Sequence, residues 1–368
     1  MKTALIEIVN KLLQKNADRK AQRLLQTAAL QQLINQTVDH KLIFGAVLCV
    51  DKNGERFVGS AGNFTPHQPF FIASTTKLYI TALILMLQEQ GKLQLTHPIN
   101  RYLPPAVIQN LHVLNGQDYS GVITIEQLLA HTSGLPDYFE DAAPGKRSML
   151  QEIASGKDCQ WTFDDAIALA KQMKPKFTPN QPHKAHYSDT NYQLLGKIIE
   201  LIEDKPLQTV LQQMIAEPLC LTQTYLYTDA ANTAVPDIYY KNKPLHIPQA
   251  MTGFGADGGM VATAEELVIF LKAFFGGALF PQQALPPLCQ TWNAVMYPLE
   301  YGVGIMRFKP PWYFSPLYAL PEFLGHSGLS GAFAFYAPQT NTYIAGTVNQ
   351  IARPDTAFRL MIKAITAA

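Results

Sequence analysis

The stretch Phe71-Ile72-Ala73-Ser74-Thr75-Thr76-Lys77 runs directly into the apolar segment Leu78 to Leu87, LYITALILML. The apolar run is far shorter than the ~20 residues of a membrane span. Interrupted by Thr81, it reads as a buried helix in a large core. On a helix, residues three apart share a face, so Ser74 and Lys77 stand side by side. Ser74 would sit in the first turn, where the partial positive charge favours a developing alkoxide. A serine hydroxyl is a weak nucleophile until a neighbour takes its proton, and a lysine can do so if burial keeps it partly neutral. Alone, Ser-x-x-Lys is a weak pattern, equally a serine N-cap with an exposed lysine one turn later. Apolar residues on both sides of Lys77 favour the chemical reading.

The rest of the composition fits a large folded chain. Of 368 residues, 48% are apolar and 15% charged, with 29 Lys+Arg against 28 Asp+Glu and a formal charge of +1. That length suggests about two domains, or one with an insertion. Disorder is excluded, since it needs low hydrophobicity and high net charge. Nucleic acid is a poor partner for a chain without a basic excess. At the N-terminus, Glu7, Lys11 and Lys15 interrupt any secretory leader, while Leu5, Ile8, Val9, Leu12 and Leu13 predict an amphipathic helix over 3–16. Cys49, Cys159, Cys220 and Cys289 form no CxxC pair and read as isolated buried thiols. The location expected is cytoplasmic, or periplasmic or secreted if a leader has been lost.

Outward from the opening stretch, a second amphipathic helix is predicted over 22–39. A strand follows at 44–50, then a Lys52-Asn53-Gly54 turn and a strand at 55–60, a strong hairpin signal. Residues 69–204 have a helical pattern with long loops, ending in a helix at 191–203 with Leu194, Leu195, Ile198, Ile199 and Ile202 on one face. Thr124 with Gln127, and Thr263 with Glu266, have capping-box spacing. Strands return at 331–337 and 342–348, and a helix closes the chain at 355–366. The predicted fold is α+β (an α/β sandwich): an antiparallel sheet flanked by N- and C-terminal helices, with a large, mostly helical insertion. The expected parts are an extra N-terminal helix (1–22), an α/β domain (23–68 and 265–368) and a helical domain (69–264), with the active site in the cleft between.

Two further segments carry polar chemistry. His186-Tyr187-Ser188-Asp189-Thr190-Asn191-Tyr192 precedes an amphipathic helix. A tyrosine phenol can relay protons if a cation such as Lys77 lowers its pKa; the plain alternative is a helix entry capped by Ser188 or Asp189. Gly325-His326-Ser327-Gly328-Leu329-Ser330-Gly331 precedes an apolar strand, where small residues would let a substrate approach backbone N–H groups. By itself it is also a Gly-rich bend.

In order, Ser74-x-x-Lys77, Tyr187-x-Asp189 and His326-Ser327-Gly328 resemble the three motifs of the serine β-lactamase/penicillin-binding-protein superfamily. The form is similar to the class C β-lactamase, D,D-peptidase and esterase branch. The segments 124–138, 187–200 and 258–271 are also family-like, and the resemblance covers about residues 25–350. It implies a β-lactamase/transpeptidase-like fold and an acyl-enzyme on Ser74. Lys77 and Tyr187 would share the acid–base work, and the N–H groups of Ser74 and Leu329 would form the oxyanion hole. Asp189 would position Lys77 or hydrogen-bond the substrate amide, and His326, Ser327 and Gly328 would contact substrate. It implies no metal or organic cofactor.

Two departures bear on substrate. Asp189 stands where many relatives have Asn, and a carboxylate beside Lys77 favours the ammonium, making Tyr187 the better base. Ser188-Asp189-Thr190 also reads as a drifted Ser-Asp-Asn motif, which the flanking Tyr187 and Asn191-Tyr192 disfavour. His326 replaces the lysine usual in β-lactamases and would hold a substrate carboxylate less firmly. Arg353 would supply the missing charge, unless it is a solvated surface residue.

Other signals are set aside. Gly253-Phe254-Gly255-Ala256-Asp257-Gly258 matches a dinucleotide fingerprint but lacks a preceding strand and a later acidic residue. The histidines show no zinc-ligand spacing. The Tyr- and Phe-rich segments 297–323, with Trp312, Tyr313 and Phe314, read as lining for an acyl-side pocket or as plain loop packing, the pocket slightly favoured. The sequence thus points to a serine hydrolase acting on a small ester, D-amino-acid peptide or β-lactam, ester or peptide ahead of β-lactam. The alternative is a catalytically degenerate descendant that binds or scaffolds. Oligomeric state is not legible.

Overall fold

The computed structural model describes residues 26–314 and 319–368. The expected helix at 3–16, and with it the extra N-terminal unit 1–22, lies outside the described residues. Strand β1 (Gly45–Lys52) is buried on both faces, and its period of two divides it cleanly. Ala46, Leu48 and Val50 enter one apolar cluster, and Val47 and Cys49 the other. It pairs with β2 (Glu55–Gly62) through a turn in which Asn53 (φ 53°) and Gly54 (φ 89°) are both left-handed, as a two-residue hairpin requires.

The sheet is larger than the sequence suggested. The strands β3 (Asn293–Met296), β4 (Leu299–Tyr301), β5 (Met306–Phe308), β6 (Phe323–Ser327), β7 (Ala332–Ala337) and β8 (Thr342–Thr347) join the first two. Their order is β3-β4-β5-β6-β7-β8-β1-β2, and every neighbouring pair is antiparallel. The first four of these strands are three to five residues long, too short for a period of two to stand out in the sequence.

Helix α1 (Thr27–Thr37) is the described part of the helix predicted at 22–39. Its Leu30 and Ile34 pack with Leu360, Met361 and Ile365 of the C-terminal helix (Pro354–Ala367) on Leu48, Val50, Phe333 and Phe335. Each fully buried aliphatic side chain contributes about 1.5–3 kcal/mol, so Ile34→Asp would detach α1. The opposite face of the sheet, lined by small residues such as Ala334 and Ala345, takes the helix Ala264–Gly276. Thr263 caps that helix, but the cap is half a box. Thr263 Oγ1 accepts from the Glu266 N–H at 3.1 Å, while the Glu266 carboxylate turns away to Thr222, Gln223 and Thr224. Thr124 and Gln127 form the complete box.

Between the hairpin and that helix lie α2 (Thr76–Glu89), α3 (Asp189–Glu203) and a three-stranded sheet of 70–71, 260–262 and 225–226. Almost every residue of α2 is buried. Among the described residues no helix is long and apolar enough to cross a membrane. All four cysteines are free, but Cys159 and Cys220 are exposed, contrary to the expectation of buried thiols. They occupy connecting segments that the core does not cover.

Candidate active site

Phe70 and Phe71 pair with Ala262 and Val261, and the chain then bends at Ala73, a non-glycine held at φ 45°. Such strain persists only where surrounding structure fixes it. Here a 3-10 turn (Ala73–Thr75) leads into α2, and Thr76 Oγ1 accepts from the Met260 N–H at 3.2 Å. Ser74 therefore lies in the tight turn just ahead of the helix rather than in its first α-turn.

Lys77 is fully buried. Its Nζ lies 3.1 Å from Ser74 Oγ, 2.6 Å from the Asp257 carbonyl and 2.6 Å from Asp189 Oδ1. Burial pulls the lysine pKa down, but Asp189, Tyr187 and Asp257 together outweigh it and hold the value above normal. The Asp189 carboxylate at 2.6 Å favours the ammonium form of Lys77, as its place in the tyrosine segment led one to expect, over the partly neutral lysine that burial alone would favour.

Tyr187 ends the loop ahead of α3. Its ring stacks on His131 at 4.3 Å, and Lys77 Nζ lies 5.1 Å from its centroid. Burial raises the phenol pKa; Lys77 and Ser74 pull it back only in part. The phenol is neutral, so the cation does not produce the lowered pKa expected from sequence. Ser188 and Thr190 anchor this loop by donating to the Pro136 carbonyl at 2.9 and 2.7 Å. The drifted Ser-Asp-Asn reading has no support here, because Ser188 Oγ is spent on that anchor.

The third segment closes the site from the sheet side. Gly328 presses against the nucleophile loop so closely that a Cβ would collide with the Ile72 carbonyl, and Ser330 Oγ donates to the Phe71 carbonyl at 2.7 Å. His326 is fully buried, not aimed at open space. Its Nδ1 meets the Ser327 carbonyl at 2.7 Å and must donate, so Nε2 accepts from the Tyr301 hydroxyl at 3.0 Å. Burial lowers its pKa to about 3. His326 is thus a neutral packing and hydrogen-bonding group, not the substrate-carboxylate receptor the resemblance implied. Ser327 Oγ faces Met306 Sδ at 3.5 Å. Arg353 is an exposed residue paired with Asp355 at 3.1 Å, and it does not enter the cleft. Trp312 and Tyr313 are exposed on the surface, and Phe314 lines a separate groove beside α1.

A cavity of about 60 Å³ opens on Ser74, Tyr187, Asp189 and Leu329. Its walls are mostly apolar, with Phe139, Leu150, Ile153, Ile247, Met251 and Phe254, and the exposed Glu140 is also among the lining residues. Sequence reasoning quoted 124–138 and 253–258 as segments but assigned no role to His131, Asp137 or Asp257, and it passed over Glu140 altogether. Asp137 and Asp257 are buried carboxyls pushed well above their usual range by burial and by Asp189. Asp257 Oδ2 accepts from Tyr138 at 2.6 Å and from Gln193 at 3.0 Å. The false dinucleotide match was the available signal, since its glycines let Asp257 and Gly258 reach Lys77 and Ala73.

A large antiparallel sheet covered by terminal helices, a helical insertion, and a half-buried Ser74 beside buried Lys77 define the class of β-lactamase/transpeptidase-like folds. The chain belongs to the Beta-lactamase family, whose model matches residues 30–367. It is 27% identical over 316 residues to an N-acetylmuramyl-L-alanine amidase of Bacillus subtilis (strain 168), covering 76% of this chain and 68% of that one. A D-stereospecific amidohydrolase from Streptomyces sp. superposes with a TM-score of 0.74 at 27% identity, over 90% of this chain and 97% of the other. A D-amino acid amidase from Ochrobactrum anthropi SV3 shares the fold, with a TM-score of 0.75 at 22% identity, over 92% and 100%. This is a fold family of hydrolases.

Proposed function

We propose that the protein is a serine hydrolase that forms an acyl-enzyme at Ser74 on a small ester or amide. The observation carrying this reading is the buried Lys77 side chain, its Nζ 3.1 Å from Ser74 Oγ and 2.6 Å from Asp189 Oδ1. Amide hydrolysis is supported by the likeness to the D-stereospecific amidohydrolase. In the proposed acylation, Ser74 Oγ bonds to the carbonyl carbon as its proton passes to the Tyr187 oxygen. The proton already on Tyr187 passes to the departing amine or alkoxide, whose bond to carbon breaks. Neutral Tyr187 therefore needs no prior ionisation, and Lys77 stays an ammonium that stabilises the developing charge on Oγ. Deacylation reverses the relay, with water in place of the leaving group.

The N–H groups of Ser74 and Leu329 are the proposed oxyanion hole. Neither is taken up by an acceptor among the described residues, and Gly328 lets their two segments touch. No β-lactam carboxylate receptor is proposed, because His326 is buried and neutral. The test is a panel of short-chain p-nitrophenyl esters, amino-acid p-nitroanilides and a chromogenic cephalosporin, run on the parent and Ser74→Ala. The reading expects ester or anilide turnover that falls by at least about 10³ in the variant. Equal rates in parent and variant would leave a binding or scaffolding descendant instead.

A further inference from the structure

Resting on the reading just given, we infer that His131 is a positioning residue for the proposed proton relay. Its ring nitrogen Nδ1 and its carbonyl clamp the backbone on either side of Tyr187 and so hold the phenol in reach of Ser74. The His186 N–H donates to the His131 carbonyl at 2.9 Å, and the Ser188 N–H donates to His131 Nδ1 at 3.1 Å. Tyr187 is the residue between these two anchors, and its ring stacks on the imidazole at 4.3 Å. One residue therefore sets both the backbone and the ring plane of Tyr187.

The neighbours of the imidazole fix its tautomer. Asn191 Oδ1 accepts from Ser133 Oγ at 2.7 Å, which turns the amide so that Nδ2 donates to His131 Nδ1 at 3.1 Å. Nδ1 thus accepts twice and carries no proton, which leaves the proton on Nε2. Burial, and the Lys77 charge second, keep the fully buried ring neutral, as the clamp requires. Packing alone does not account for the residue. His131 is a non-glycine held at φ 57°, and its buried Nε2 meets no partner among the described residues. Both features carry a cost of the kind found where function fixes the geometry.

The test removes the acceptor and the ring separately. His131→Asn keeps a short acceptor and suits a left-handed backbone but loses the ring, whereas His131→Phe keeps a flat ring and loses the acceptor. Fluorophosphonate labelling of Ser74 and ester turnover are measured in both variants, and again with Tyr187→Phe added. His131→Phe is expected to lower labelling and kcat by about a hundredfold, the penalty for a misplacement of about 1 Å, with KM unchanged within about twofold. His131→Asn is expected to recover at least about tenfold of that loss. With Tyr187→Phe already present, His131→Phe should cost nothing more, a non-additivity that a merely structural residue would not produce. Parental rates in His131→Phe, equal losses in the two variants, or an undiminished loss beside Tyr187→Phe would each overturn the inference. Failure of Ser74 to label in the folded parent would count against the hydrolase reading instead. The clamp is then decided by nitrogen-15 NMR of the histidines at pH 7: an unprotonated Nδ1 on His131 supports it, and a protonated Nδ1 overturns it.

Discussion

Lys77 Nζ lies 2.6 Å from Asp189 Oδ1, and both side chains are removed from solvent. A lysine buried alone gives up its proton; this one is favoured to keep it because the Asp189 carboxylate stands against it. The pair fixes the protonation state on which the proposed relay depends. Asp189→Asn lets burial act unopposed by that charge, so the Lys77 pKa falls. The parent is expected to show no Lys77 limb in kcat between pH 6 and 9, and the variant to gain a limb there. Profiles of the same shape in both proteins would contradict the assignment.

Stability follows from the same pair. The folded pKa of Lys77 lies above the unfolded value of about 10.4, so its contribution is fully present below that pH. It is lost only as pH rises through the folded value. Asp189→Ala, which strands a buried cation, is expected to lower stability by about 3 kcal/mol at pH 7 in urea unfolding. A change under 1 kcal/mol would mean that Lys77 is not held as an ion.

His326 carries the opposite sign. Its folded pKa, about 3, lies below the unfolded value of about 6.5. Between these limits the unfolded chain binds a proton that the folded one refuses, so stability rises with pH across that window and falls on acidification. His131 contributes in the same direction, and the raised carboxyls of Asp137 and Asp257 oppose it. The useful measurement is therefore a difference: the stability of the parent minus that of His326→Gln, from pH 4.5 to 7. It should grow by about 1.4 kcal/mol per pH unit at the acidic end and level off above about pH 6.5. A pH-independent difference would show that His326 titrates freely.

Gly328 sets the spacing between the third segment and the nucleophile loop. Gly328→Ala would force the Ile72–Ala73 backbone away and move Ser74 relative to Leu329. Fluorophosphonate labelling is expected to slow by about a hundredfold, in line with the penalty for a misplacement of about 1 Å. The thermal midpoint should drop by only a few degrees. Labelling at the parental rate would remove Leu329 from the oxyanion hole.

The hairpin, both terminal helices and the amphipathic face of α3 were legible in the sequence, because each has a strong period or a turn residue that permits little else. Ser74, Lys77 and Tyr187 were legible as motifs, and the folded chain brings them together. What the sequence hid depends on burial and on contacts between distant segments. Nothing local marks His326 as enclosed by Tyr301, or Glu140 as a lining residue of the cavity. Strands β3 to β6 escaped notice because short segments owe their pairing to neighbours rather than to their own pattern.

The central claim is that Ser74, activated beside Lys77, becomes acylated. The most direct measurement is intact-protein mass spectrometry after treatment with a fluorophosphonate or a p-nitrophenyl ester, followed by peptide mapping. The account predicts one adduct per chain, on the peptide containing Ser74, absent in Ser74→Ala and strongly slowed in Tyr187→Phe. A folded protein that gains no adduct, or gains it on another residue in both parent and Ser74→Ala, would contradict it.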